Sequence, residues 1–214
     1  MSDTAFADSA FDLTAETTAL LVVDMQNDFL DAQGYFGGCG QDVAALQPAV
    51  AATASLRNLL PQAVRVIFTA QVYEPDGSDD LGRVHRLRPA RLTRAGDQGP
   101  VKRGTWGAQI VPALAPEAGQ RVVEKRRFDA FYQTDLALLL HCWGIKTLIF
   151  AGVVADVCVE TTLRAAYVRD FDVVLAKDCV AAWREADTQR TVAAVESHFG
   201  VVKSNGQILE ALRS

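Results

Sequence analysis

The chain has 214 residues, 50% of them hydrophobic and 22% charged, with a formal net charge of -5. That length fits one domain with a sizeable buried core, and the composition excludes a disordered chain. An acidic protein with a sequence pI near 5.2 is a poor generic binder of nucleic acid or membrane surface, so neither is expected as a partner.

The opening MSDTAFADSAFDLTAE is small, acidic and polar and lacks the basic and apolar regions of a secretory signal. It reads as a flexible N-terminal segment over residues 1–16, followed by one domain over 17–214 in a cytoplasmic protein. Ala19 to Val23 is a short apolar run stopped by Asp24, which predicts a buried strand. Residues 41–60 carry apolar side chains at helical spacing, with Pro48 marking a break or a fresh helix start. Val64 to Thr69 is a second strand. Residues 70–107 form a long irregular region rich in Gly, Asp and Arg, and a loop of that length in a compact domain is usually functional or mobile. Arg121 to Lys125 predicts a strand, Thr134 to Trp143 a helix, and Lys146 to Ala151 a strand ending at Gly152. The longest apolar stretch, Leu148 to Ala155, is far short of the roughly 20 residues of a spanning helix. A helix over 156–169, a strand over 172–176, a helix over 186–199 closed by Gly200, a strand at Val201 and Val202, and a helix over 207–212 complete the chain. Strands alternating with helices define an α/β fold around a mostly parallel sheet.

In such sheets ligands bind at the carboxyl ends of the strands. Three strands end on chemically pointed residues: Asp24, Lys125, and Gly152 followed six residues later by Cys158. An acid, an amine and a thiol thus converge on one sheet edge. Each has a plain alternative: a polar strand stop for Asp24 and a solvent-facing amine beside Arg126 and Arg127 for Lys125. Lysine is scarce here, with five among 21 cationic residues. Of the four cysteines, Cys39 sits among glycines, and Cys142 and Cys179 read as inert core residues. Without a Cys-x-x-Cys pair, neither a disulfide framework nor a thiolate zinc site is indicated. Cys158 lies in the first turn of the expected helix, where unpaired N–H groups and the dipole would depress its pKa. The same N–H groups can cradle an oxyanion. Only His85, His141 and His198 occur, without metal-ligand spacing, so no metal or other cofactor is expected.

The segments Leu21-Val22-Val23-Asp24-Met25-Gln26-Asn27-Asp28-Phe29, Gly104-Thr105-Trp106-Gly107, Val123-Glu124-Lys125 leading into Phe131-Tyr132-Gln133-Thr134, and Ala151-Gly152-Val153-Val154-Ala155-Asp156-Val157-Cys158 closely resemble the isochorismatase-like cysteine hydrolases, from about residue 17 to 203. The resemblance implies a single-domain, six-stranded mostly parallel sheet with helices on both faces and a catalytic triad of Asp24, Lys125 and Cys158. It implies a cis peptide between Val153 and Val154, an oxyanion hole from the backbone N–H groups of Val154 and Cys158, and pocket walls from Phe29, Trp106 and Phe128. It also implies a homodimer or homotetramer that hydrolyses the C–N bond of a small-molecule substrate through a thioester.

Within that family, nicotinamidases carry an Asp-x-His and further histidines after the second strand to bind a metal. The matching stretch Thr69-Ala70-Gln71-Val72-Tyr73 has no histidine, which disfavours that branch. Retention of Cys158 favours an amidase over a vinyl-ether hydrolase of the isochorismatase type. The block around Lys125 and the segment after Cys158 look most like the ureidoacrylate, N-carbamoylsarcosine and biuret amidohydrolases, although Ala155 and Phe128 depart from residues common there. The expected substrate is therefore a small carbamoyl, ureido or linear amide compound. The alternatives are an ether hydrolase and a catalytically idle binding homologue. Residues 83–103 hold Arg83, Arg86, Arg88, Arg91, Arg94, Lys102 and Arg103, read as a solvated or partner-facing loop or as a lid offering an arginine to a substrate carboxylate.

Overall fold

A computed structural model describes residues 13–79 and 99–213. Leu13 is buried and Ala15–Thr17 forms a 3-10 turn ahead of the first strand; residues 1–12 of the expected N-terminal segment lie outside the described residues. The strands are β1 (Thr18–Val23), β2 (Arg65–Gln71), β3 (Arg121–Lys125), β4 (Thr147–Val153), β5 (Asp172–Ala181) and β6 (Val201–Lys203). They form one sheet in the order β3-β2-β1-β4-β5-β6 with every pairing parallel. The expected six-stranded α/β architecture is present.

The helices are α1 (Asn27–Leu30), α2 (Tyr35–Gly38), α3 (Gln47–Leu59), α4 (Leu136–Cys142), α5 (Glu160–Tyr167), α6 (Glu185–His198) and α7 (Asn205–Ala211). Pro48 sits in the first turn of α3, where its missing N–H costs nothing, so it starts the helix rather than breaking it. Ser204 and Gln207 form a reciprocal capping box that fixes the start of α7.

The central strands explain their own composition. Every residue of β1 and of β4 is buried, as expected for parallel strands covered on both faces. The edge strand β3 buries only Val123 and Lys125. β5 runs five residues beyond its expected end, because Lys177 and Asp178 stay exposed within the strand while Cys179 to Ala181 return to the core. Its pairing with β4 is irregular there, jumping from Phe150↔Leu175 to Gly152↔Val180.

Register places the chemistry. Val23, the last residue of β1, pairs with Thr69 on one side and Gly152 on the other. One step outward, Gln71 of β2 faces Lys125 of β3. Four strands therefore deliver their carboxyl ends at nearly one level. Gly152 is required at this level: with φ at 138°, a Cβ there would run into the Val23 backbone.

Candidate active site

Asp24 follows β1 directly and adopts a left-handed backbone, φ 49°. Such a conformation costs a non-glycine residue of order 1–3 kcal/mol and tends to persist at functional positions. Its N–H is held by the Thr69 carbonyl at 3.2 Å. Its carboxylate is bound from both sides: Thr69 Oγ1 donates to Oδ1 at 2.6 Å, and the Lys125 ammonium meets Oδ2 at 2.6 Å. Both side chains of this ion pair are fully shielded from solvent.

Lys125 reaches the acid from the last position of β3. Its three ammonium protons face three acceptors: Asp24 Oδ2, the Arg127 carbonyl at 3.0 Å and Gln71 Oε1 at 3.5 Å. Burial by itself would lower the lysine pKa, but the Asp24 carboxylate and the Cys158 sulfur more than offset it and hold the ammonium above its ordinary value.

Cys158 completes the cluster. The peptide between Val153 and Val154 is cis, as the resemblance implied. The chain then enters a π-helical turn over Ala155–Val159, closed by the Glu160 N–H on the Ala155 carbonyl, before α5 begins. The Val157 and Val159 N–H groups both turn back to the Val154 carbonyl, at 3.1 and 3.4 Å. The expectation that Cys158 occupies the first turn of an ordinary helix and is acidified by its dipole does not hold. The wide turn carries the thiol into the core at 3% exposure, and burial pushes its pKa above the ordinary value, with Lys125 only partly compensating and Asp24 adding to the rise. The resting sulfur is a thiol, and Gln71 Oε1 accepts its S–H at 3.5 Å.

Acid, amine and thiol, far apart in sequence, thus meet in one buried cluster, and Thr69, Gln71 and Tyr73 surround them. Gln71 Nε2 donates to the Tyr73 hydroxyl at 2.7 Å, and the Tyr73 phenol is pushed above its ordinary pKa by burial. In the sequence this stretch stands out for its missing histidines. A signal was present, since Thr69, Gln71 and Tyr73 are polar residues at every second position leaving an apolar strand, hence on one face.

The three aromatic residues fare differently. Phe29 is buried and stacks on Phe36 at 5.3 Å, itself packed against Trp183. Trp106 and Phe128 remain about half exposed. Asn27 anchors the Trp106 segment by donating to its carbonyl at 2.8 Å. Cys142, expected in the core, is exposed at the end of α4, whereas Cys179 is buried. Of the basic segment, Arg83, Arg86, Arg88, Arg91 and Arg94 lie outside the described residues. Arg103 is committed to Glu74 and, bidentately, to Glu124, and Lys102 donates to the Glu74 carbonyl.

An open depression of about 400 Å³ is lined by Ala70, Val72, Val122 and Glu124 among others. These residues alternate with Thr69, Gln71, Val123 and Lys125, so the depression lies on the opposite face of the sheet from the cluster. Among the described residues no group of three or more His, Cys, Asp or Glu side chains is placed to hold a metal ion. No helix among them is long and apolar enough to cross a membrane.

Comparison with known proteins gives the family and the fold. The sequence profile of the Isochorismatase domain matches residues 18–207. The ureidoacrylate amidohydrolase RutB of Methylorubrum extorquens is 35% identical over 214 residues, covering 96% of this chain and 86% of the relative. A cysteine hydrolase from Pseudomonas syringae pv. phaseolicola superposes with a TM-score of 0.74 at 26% identity, covering 95% of both chains. The N-carbamoylsarcosine amidase of Thermoplasma acidophilum shares the fold, with a TM-score of 0.68 at 24% identity over 88% of this chain and 96% of that one.

Proposed function

The chain belongs to the isochorismatase family, and from that premise we propose that it is a metal-independent cysteine amidohydrolase cleaving the C–N bond of a small ureido or carbamoyl compound. The observation that carries the proposal is the buried Asp24–Lys125 ion pair set against the buried Cys158 side chain. The RutB relative supports the substrate class.

The chemistry starts from a thiol that does not ionise unaided. Asp24 takes the Cys158 proton as the sulfur attacks the substrate carbonyl carbon, and Lys125 remains beside both groups as counter-ion. The carbonyl oxygen gains the negative charge and is received by the N–H groups of Val154 and Cys158. Collapse of the tetrahedral intermediate breaks the C–N bond, and the nitrogen leaves as ammonia or amine with the proton held by Asp24. Asp24 next draws a proton from water, whose oxygen attacks the thioester. The C–S bond breaks, the proton returns to sulfur, and the acid product departs. Trp106 and Phe128, half-exposed, and the buried Phe29 are the proposed pocket walls.

The proposal extends to a cytoplasmic protein without a nucleic-acid or membrane partner, for which its acidic charge argues. It extends equally to a homodimer or homotetramer, read by light scattering on a sizing column.

The test is ammonia release from ureido acids, N-carbamoyl amino acids, biuret and nicotinamide, with and without a chelator. Turnover of ureido or carbamoyl compounds that survives chelation and vanishes in Cys158→Ser is expected. Absence of turnover on every amide, or activity retained in Cys158→Ser, refutes the proposal; cleavage of isochorismate by that variant points to the ether hydrolase instead.

A further inference from the structure

Gln71 touches both the proposed nucleophile and its counter-ion through the same atom. Its Oε1 lies 3.5 Å from Cys158 Sγ and 3.5 Å from Lys125 Nζ, and its Nε2 donates to Tyr73 at 2.7 Å. The orientation of this carboxamide is fixed by chemistry. A lysine ammonium has donors only, so the amide atom facing it must be the oxygen. Tyr73 then holds the nitrogen end, and the residue is 4% exposed with no room to turn over freely.

The acceptor facing the sulfur is therefore permanent, and its capacity is poorly used. Both contacts to Oε1 are long for hydrogen bonds, and one of them, the S–H, disappears when Asp24 takes the thiol proton. A carbonyl carbon poised for attack sits roughly 3–3.5 Å from the sulfur. Its substituents then fall within reach of Oε1. A carbonyl oxygen cannot occupy that side, because two acceptors would face each other in a buried site. An N–H can.

We propose that Gln71 is a specificity-determining residue whose carboxamide oxygen accepts an N–H of the departing amino group, and that Tyr73 is the positioning residue that locks this orientation. This rests on the amidohydrolase reading and refines it. The contact replaces the lost S–H donor during attack and turns the carbonyl oxygen toward the backbone N–H groups of Val154 and Cys158. It also discriminates between leaving groups of similar size. An amide presents the required donor and an ester does not, and a buried acceptor left without its donor weakens binding of the ester.

The experiment measures kcat and KM for an amide whose acyl group carries no N–H on the carbonyl carbon and for the methyl ester of the same acyl group, in wild type, Gln71→Leu and Tyr73→Phe. Gln71→Leu is expected to lower kcat/KM for the amide by about tenfold or more while changing the ester by less than about threefold. Tyr73→Phe keeps every ring carbon and is expected to shift the amide-to-ester ratio in the same direction by a smaller factor. It carries the test alone if Gln71→Leu does not fold. Equal losses on both substrates, or an unchanged ratio in both variants, overturn the inference while the amidohydrolase reading stands. A wild type that turns over no amide overturns both.

Discussion

Replacing Lys125 with Met tests the central electrostatic claim directly. The substitution keeps most of the buried stem and removes the ammonium, leaving the Asp24 carboxylate with only neutral side-chain partners, the Thr69 hydroxyl and the Cys158 thiol. Because both partners are fully shielded, the loss is that of a broken buried pair, about 3–5 kcal/mol, rather than the small effect of a surface salt bridge. In a domain of 214 residues, each kcal/mol shifts Tm by about 2–4 °C, so the variant should melt about 6–20 °C below wild type. Asp24→Asn should cost a comparable amount by leaving the ammonium without its counter-charge.

The double variant Asp24→Asn/Lys125→Met is the discriminating one, since it buries no charge at all. It should be about as stable as either single variant or more so, giving a coupling of about 3 kcal/mol or more. Urea unfolding at pH 7 with unchanged m-values provides the measurement. Effects that add to within about 0.5 kcal/mol, or single losses below about 1 kcal/mol, would refute the buried pair as described.

Three further outcomes are expected. Cys158 and Lys125 both have folded-state pKa values above their ordinary ones, so their contribution to stability is complete below the unfolded values and is lost as pH rises. The unfolded thiol ionises near 8.5, so urea midpoints should decline above about that pH, and less so in Cys158→Ser; a profile that is flat to pH 10 would contradict this. Iodoacetamide followed by mass spectrometry should mark the exposed Cys142 well before the buried Cys158 and Cys179, and preferential labelling of Cys158 in the free enzyme would show that its thiol is neither buried nor protonated. Gly152→Ala would place a methyl group against the Val23 carbonyl oxygen and within 2.7 Å of its Cβ, so this single methyl should lower the yield of folded protein sharply, whereas near-native melting would mean that β1 and β4 are not packed as described.

Much of this arrangement was legible in the chain. Buried parallel strands announce themselves as short apolar runs, and residues that end such runs fall at the ligand-binding edge, which is why Asp24 and Lys125 stand out in the sequence. What escaped depended on neighbours. The acidity of Cys158 is not legible in the sequence, because helix-dipole reasoning assumes an ordinary first turn with the thiol near solvent. The π turn and the burial that reverse the sign are set by packing against β4 and α6. The full length of β5 is hidden in the sequence, because exposed Lys177 and Asp178 look like a turn until an irregular pairing with β4 accommodates them. Local hydrophobicity alone points Cys142 inward, although α4 is short and turns that residue outward.

The depth of the site is compatible with its chemistry because the charge count never changes. At rest the cluster holds a carboxylate, an ammonium and a neutral thiol. After proton transfer it holds a carboxylic acid, an ammonium and a thiolate. Both states sum to zero, and Lys125 is the counter-ion in each, which is why Asp24 and Cys158 both raise its pKa. A low-dielectric interior penalises uncompensated charge, not the movement of one charge between two neighbours of the same cation. A solvent-exposed base would have to desolvate during attack, and a pre-formed thiolate would have to be maintained in the resting enzyme. The sheet edge avoids both by letting β1 and β3 supply a closed ion pair, and by letting the turn after β4 bring the thiol to it only as a neutral group.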